Sequence, residues 1–306
     1  MSKIFPQVIP YQGSKRKAAS LILDFFPRNS DTLFEPFVGS GAVTIAASAT
    51  KRARNFHVSD ILKPLVGIWD SIIDSPNELS DRYEALWKQQ IGREKVFFNE
   101  IRNEFNNEGD SAKLLYLICR CVKNSVRFNS TGEFNQSPDN RRLGMHPNKM
   151  RERISAVSTL LQGVSSTSVG DFRDVLCNAT SRDIVYMDPP YQGTSGKKDT
   201  RYAATLKFDD LCSEMDRMNR KDIKYLLSFD GTCGVKEYGQ KLPSELRLKH
   251  VPVHMGRSSQ ATLLGRDDQT VESLYLSPSL TKALCIDDKA ILSWLALGPA
   301  SGFSRT

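Results

Sequence analysis

The sequence predicts an α/β fold: a largely parallel sheet with helices on both faces, interrupted by an inserted, mainly helical segment that carries a β-hairpin. Three observations lead there. Short apolar runs end in an acid or a Gly-rich turn, as buried parallel strands do. A small-residue helix lies between the first two runs. From about Trp69 the periodicity becomes helical, and an alternating, turn-centred stretch follows.

The first strand is Leu33-Phe34-Glu35-Pro36-Phe37, followed by the turn Val38-Gly39-Ser40-Gly41. Ala42 to Ala49 reads as a helix whose small side chains allow close packing on a sheet. Asn55-Phe56-His57-Val58-Ser59 is a second strand closed by Asp60. Strand, helix, strand at this spacing is a parallel βαβ unit. The helical segment runs to Arg127, with Leu114, Leu115, Leu117, Ile118, Cys121 and Val122 on one face. Residues 126–135, centred on Ser130-Thr131-Gly132, read as a hairpin. Ile184-Val185-Tyr186-Met187 is a buried strand ending at Asp188, and Lys224 to Phe229 and Glu272 to Leu276 are later strands. The expected division is a split catalytic unit, residues 1–68 and 150–306, around an insertion at 69–149. The last dozen residues are expected to be loose.

The 306 residues carry 42 Lys plus Arg against 35 Asp plus Glu, a net charge of +7. That excess favours a polyanionic partner. The six cysteines share no metal-ligand spacing, so no metal is expected and reduced thiols in a cytoplasm fit best. No apolar stretch reaches membrane-spanning length.

Asp188-Pro189-Pro190-Tyr191 is the most informative motif. Ligands bind at the carboxyl ends of strands in open α/β sheets. There a carboxylate and a proline carbonyl can each accept an N–H of an exocyclic adenine amine, while a tyrosine stacks on the base. A plain acidic turn is the competing reading. The glycines 39 and 41 permit close approach to the backbone. An acid about 20 residues past such a turn is placed to accept ribose hydroxyls, which favours Asp60 in that role over a helix cap. Tyr11-Gln12-Gly13-Ser14-Lys15-Arg16-Lys17 could receive a carboxylate, or be a solvated basic face. Gly170-Asp171-Phe172 could meet an adenine ring, or be a simple loop. Arg120, Lys123, Arg127, Arg141, Arg142 and Lys149 surround the hairpin; arginine can read guanine bidentately and lysine can neutralise phosphate.

Taken in order, Tyr-x-Gly-Ser-Lys, Glu-Pro-Phe-Val-Gly-Ser-Gly, Asp60, Gly-Asp-Phe and Asp-Pro-Pro-Tyr resemble the Dam-type (D12 class) adenine-N6 DNA methyltransferases. The hairpin Val126-Arg127-Phe128-Asn129 with Gly132-Glu133-Phe134-Asn135, Gly256-Arg257-Ser258-Ser259 and Glu272-Ser273-Leu274-Tyr275 extend the resemblance over roughly residues 8–278. It implies a Rossmann-like methyltransferase sheet and the cofactor S-adenosylmethionine, contacted by Tyr11, Lys15, Glu35, Phe37, Gly39, Gly41, Asp60, Asp171, Phe172 and Asp188. It implies that Asp188, Pro189, Pro190 and Tyr191 receive a target adenine flipped from duplex DNA. Residues 69–149 become a target-recognition domain, with Lys123, Asn124, Ser125, Arg127, Asn129, Ser137, Arg141 and Arg142 toward DNA and Arg127 reading a guanine.

The sequence also departs from the family. Val122 stands where the family has an intercalating tyrosine, and Ser125 and Ser137 where apolar residues meet a thymine methyl. The expected activity is therefore site-specific adenine methylation at a site left undefined. A restriction-modification or phage setting is implied, with a cognate restriction endonuclease left open as a partner. Relatives acting on RNA or on a protein amide, and a DNA-binding module without catalysis, are the rival classes. A nicotinamide enzyme is disfavoured by the missing third glycine.

Overall fold

A computed structural model describes residues 5–190, 206–233, 236–238, 241–257, 269–287 and 291. The chain begins with a 3₁₀ turn at Lys15–Lys17, α1 (Ala19–Ile22), β1 (Ser30–Glu35), α2 (Ala42–Ala49) and β2 (Ala53–Asp60). A helical stretch follows: α3 (Lys63–Asp74), α4 (Pro76–Gln89), α5 (Glu94–Glu108) and α6 (Ser111–Arg120). After a 3₁₀ turn at Val122–Asn124, α7 (Pro147–Leu161) leads back to β3 (Ser165–Val169), α8 (Phe172–Leu176) and β4 (Ile184–Met187). The rest comprises α9 (Phe208–Arg220), β5 (Lys224–Cys233), β6 (Lys236–Tyr238), β7 (Lys249–Arg257), β8 (Gln269–Leu276) and α10 (Pro278–Ala283).

Eight strands form one sheet in the order β3-β2-β1-β4-β5-β8-β7, with β6 paired to β5. The pairs from β3 through β5 are parallel, whereas β8 runs antiparallel to both β5 and β7. Alternation along the strands divides the core in two. Leu33, Ile184 and Leu226 join a large cluster with α2, α3 and the inserted helices, while Phe34, Val185 and Leu227 face α8 and α9. Helices therefore cover both faces, as expected of a sheet whose central strands are apolar throughout.

The chain winds from β1 out to β2 and β3, then returns to place β4 on the other side of β1. That reversal opens a crevice at the carboxyl ends of β1 and β4, the place where open α/β sheets bind ligands.

Several elements differ in extent from expectation. The helical region starts at Lys63 and α6 stops at Arg120, because a 3₁₀ turn containing left-handed Lys123 and Asn124 breaks it. The expected boundaries at 68/69 and 149/150 fall within α3 and α7. Apolar residues of the inserted segment, such as Phe98, Leu115 and Phe134, share one core cluster with the sheet. The hairpin is held by single antiparallel bridges, Phe128 to Phe134 and Cys121 to Pro138, not by continuous strands. Phe105, Phe128 and Phe134 anchor it, with ring centroids 5.8–6.5 Å apart. The final dozen residues lie outside the described residues.

Candidate functional site

β1 delivers Glu35 to the crevice, and the turn after it passes through Gly39 and Gly41 with φ of 45° and 57°. A side chain at Gly41 would meet the Trp69 ring at 2.4 Å, so the position excludes any Cβ. Trp69 fastens the same turn by donating Nε1–H to the Gly39 carbonyl at 3.2 Å. Glu35 accepts from both the N–H and the hydroxyl of Thr44, at 3.0 and 2.5 Å. It therefore satisfies one of the free N–H groups in the first turn of α2. Burial pushes its carboxyl up to about 8, against the pull of the Thr44 bonds, so it carries its proton at neutral pH.

β2 ends at Asp60, which is buried and accepts from Leu62 N–H at 3.0 Å and, at a long 3.5 Å, from Gly39 N–H. Burial raises it to about 6, the backbone bonds opposing. The Asp60 carbonyl accepts from Gly170 N–H, which brings the Gly-Asp-Phe segment alongside. There Phe172 is buried with its ring 5.3 Å from Phe37. Asp171 caps α8 and receives the Arg173 guanidinium through both oxygens, which holds its carboxyl below the usual range.

β4 ends at Asp188. Its Oδ1 lies 2.9 Å from the Lys15 ammonium, which is 5% exposed and also 3.7 Å from Glu272 Oε2 on β8. Pro189 is buried and Pro190 partly so, whereas Tyr191 lies outside the described residues. Beneath them, the Tyr186 hydroxyl and Ser228 Oγ pair at 2.8 Å, satisfying two buried polar atoms between β4 and β5. Tyr11 packs beside Gly39, and Ser14 bonds Ser40 at 2.8 Å. The sheet thus gathers Tyr11, Lys15, Glu35, Phe37, Gly39, Gly41, Asp60, Asp171, Phe172, Asp188 and Pro189 at its carboxyl edge.

The second group lies on the segment after α6. Lys123, Arg127, Ser137, Arg141 and Arg142 are exposed. Three of the anticipated contact residues are spent on structure. Asn124 donates to the Ile118 carbonyl at 2.9 Å, the Ser125 hydroxyl donates to Gln12 Oε1, and Asn129 ties the hairpin turn through Thr131 and Glu133. Arg120, grouped by sequence with the surface cations, is 1% exposed and donates to the Asp139 and Arg142 carbonyls. It is a strut under the loop, because that loop folds back over the end of α6. Asp139 completes the clasp by accepting from Arg141 N–H and the Arg142 guanidinium.

Sequence reading gave no role to Gln12, Trp69, Asp139 or the Lys15–Glu272 pair. Trp69 and Asp139 carry no motif, and the other pairings join residues far apart in the chain.

A family model for the D12 class N6 adenine-specific DNA methyltransferases matches residues 11–252. The chain is 26% identical over 244 residues to the modification methylase StsI of Streptococcus sanguinis, covering 74% of this chain and 35% of that protein. It is 25% identical over 243 residues to the DNA N-6-adenine-methyltransferase of Escherichia phage P1, covering 75% and 30%. A Lactococcus lactis subsp. cremoris protein, the type II methyltransferase M1.LlaDCHI, is 25% identical over 193 residues, covering 59% and 64%. The chain thus spans about a third of the first two relatives' length. With the motifs assembled at one sheet edge and a match over most of its length, this chain belongs to the D12 class of N6 adenine-specific DNA methyltransferases.

Proposed function

We propose that this protein transfers a methyl group from S-adenosylmethionine to the N6 of adenine at a specific site in duplex DNA. The observation that carries the reading is the position of Asp188 and Pro189 at the end of β4, across the switch point from the Gly39 turn and Asp60. The residues fit the cofactor. A Cβ-free turn at Gly41, a buried carboxylate at Asp60 and the Phe37–Phe172 ring pair suit, in turn, a close-lying ligand, ribose hydroxyls and an adenine face. Lys15, Tyr11, Glu35 and Asp171 complete that proposed pocket. When bound, S-adenosylmethionine supplies a sulfonium-activated methyl group.

In this reading the protein's own work is orientation. A stacked base cannot reach the crevice, so the target adenine is extruded, at a cost of a few kcal/mol. Asp188 accepts one N6 hydrogen and the Pro189 carbonyl the other, turning the nitrogen lone pair out of conjugation with the ring. Tyr191 is assigned the stacking role by its place in the motif, with Pro190 shaping the turn. Residues 69–149 are proposed as the target-recognition domain. Lys123, Ser137, Arg141 and Arg142 would meet the DNA directly, Arg127 would read a guanine, and Asn124, Ser125 and Asn129 would hold the reading surface in shape. A cognate restriction endonuclease and a cytoplasmic setting belong to the same proposal.

The test is methyl transfer to duplex DNA from a methylation-free host, with the product nucleoside identified. N6-methyladenine is expected, and methylcytosine would refute the reading. Asp188→Asn should lower turnover about 10²–10³-fold, the loss when a group stabilising the transition state is removed. DNA binding should persist, since phosphate contacts dominate it. Near-normal turnover in that variant would overturn the assignment.

A further inference from the structure

The short segment that carries Tyr11 and Lys15 is bonded on two sides. A tight turn, closed by Ser14 N–H to the Tyr11 carbonyl at 3.1 Å with Gly13 at φ 85°, sets Gln12 between the two. On one side the segment grips the crevice. The Tyr11 ring packs beside Gly39, Ser14 bonds Ser40 at 2.8 Å, and Lys15 lies 2.9 Å from Asp188. On the other side Gln12 bonds the turn that opens the DNA-facing segment. Its N–H donates to the Asn124 carbonyl at 3.2 Å, and its Oε1 accepts from the Ser125 hydroxyl. Ser125 is 3% exposed, so water competes little for that bond.

The turn needs such support. Lys123 and Asn124 follow one another with φ of 60° and 51°, a conformation that is costly for any residue but glycine. Asn124 Nδ2 and Cys121 Sγ brace it from within the inserted segment, at 2.9 Å to the Ile118 carbonyl and 3.3 Å to the Ser125 carbonyl. Gln12 braces it from the cofactor side. A strained turn supported from another element has two arrangements: held while the support is fixed, relaxed when the support moves. We propose that Gln12 couples cofactor occupancy to DNA binding. S-adenosylmethionine, seated against Tyr11 and Lys15, fixes Gln12, and Gln12 acts through Ser125 to hold the turn that leads to Arg127 in its DNA-binding form. Linkage makes the effect reciprocal, so duplex DNA tightens the cofactor by the same factor.

This inference rests on the proposed function and deepens it. Its test measures the affinity for a duplex carrying the sequence that the protein methylates, by fluorescence anisotropy, with and without saturating S-adenosylhomocysteine. In the wild-type protein the nucleoside should tighten duplex binding about 5–150-fold, the range of coupled sites. Gln12→Met keeps the length of the side chain and removes the acceptor, while Ser125→Ala removes the donor. Each should shrink that ratio about 2–10-fold, the scale of one hydrogen bond. The double variant should shrink it no further than either alone, because both remove the same bond. A turn merely loosened by the substitution would bind the duplex more weakly in both conditions and leave the ratio where it was. A wild-type ratio of one, an unchanged ratio in folded Gln12→Met, or additive losses in the double variant would overturn the inference and leave the proposed function standing. If the wild-type protein methylates no duplex, both fall together.

Discussion

The carboxyl edge of the sheet and the 121–142 segment solve different physical problems with different materials. At the sheet edge the ionisable groups are few and sunk, with Glu35 3%, Asp60 7% and Lys15 5% exposed. Two of these carboxyls titrate well above their usual range. In the 121–142 segment the cations stand in solvent, Arg141 at 87% and Arg142 at 60%, and the buried polar groups, Ser125 and Asp139, tie the loop together. Burial makes each charge count for more and fixes where it points, which suits orienting one amine. Exposure lets long side chains keep their hydration until a polyanion displaces it, which suits reading a duplex. The difference teaches that the low-dielectric region is where single substitutions should change chemistry, and the solvated region where they should change target choice.

The buried side of the comparison is broken most strongly at Glu35. Its folded pKa of about 8 lies above the ordinary glutamate value of 4.5. The stability this proton confers is therefore full below the lower value, erodes as pH rises, and is gone above the higher one. Thermal melts from pH 5 to 9 should show the wild-type protein losing a few kcal/mol across that window. Glu35→Gln, which keeps an acceptor for Thr44 without a proton to lose, should be nearly flat. A parallel slope in both proteins would place the titration elsewhere.

Asp60 sharpens the comparison through binding. Asp60→Ala should weaken S-adenosylmethionine affinity by about 1.5–3 kcal/mol, the scale of hydrogen bonds to a charged group. Because its carboxyl titrates near 6, only the ionised form above that pH accepts fully from the ribose. Wild-type affinity should fall as pH drops below about 6, and the variant's should not follow. Calorimetry at pH 5.5 and 7.5 decides, and equal pH dependence in the two would remove Asp60 from the pocket.

Much of the buried region was legible in the sequence because its signals are local. The apolar runs that begin at Leu33, Asn55 and Ile184 lie in strands that abut their neighbours in parallel, although β1 stops at Glu35 where the run was read to Phe37, and Ala42–Ala49 is α2 with the expected bounds. What escaped depends on distant parts of the chain meeting. β3, Ser-Ser-Thr-Ser-Val, has no apolar run because it sits at the sheet edge and packs one side only weakly. Lys15 meets Glu272 only because β8 inserts antiparallel between β5 and β7. Arg120 looked like a surface charge because composition cannot show that the 138–142 loop folds back to bury it. Asn129 carries the turn itself, a use of asparagine that its hairpin setting permits but does not announce.

The division of labour is tested most directly by methylating a randomised duplex library with wild-type, Asp60→Ala and Arg127→Ala proteins and reading N6-methyladenine at each sequence. Arg127 is exposed on the hairpin, and its carbonyl is held by Asn135 N–H at 2.9 Å, which sets the backbone there. Arg127→Ala should cost about 1–3 kcal/mol on the preferred site and relax the preference at one guanine. Asp60→Ala should slow every sequence by the same factor and leave the profile unchanged. An Arg127→Ala protein that slows uniformly, or an Asp60→Ala protein with altered preference, would contradict the separation of chemistry from reading.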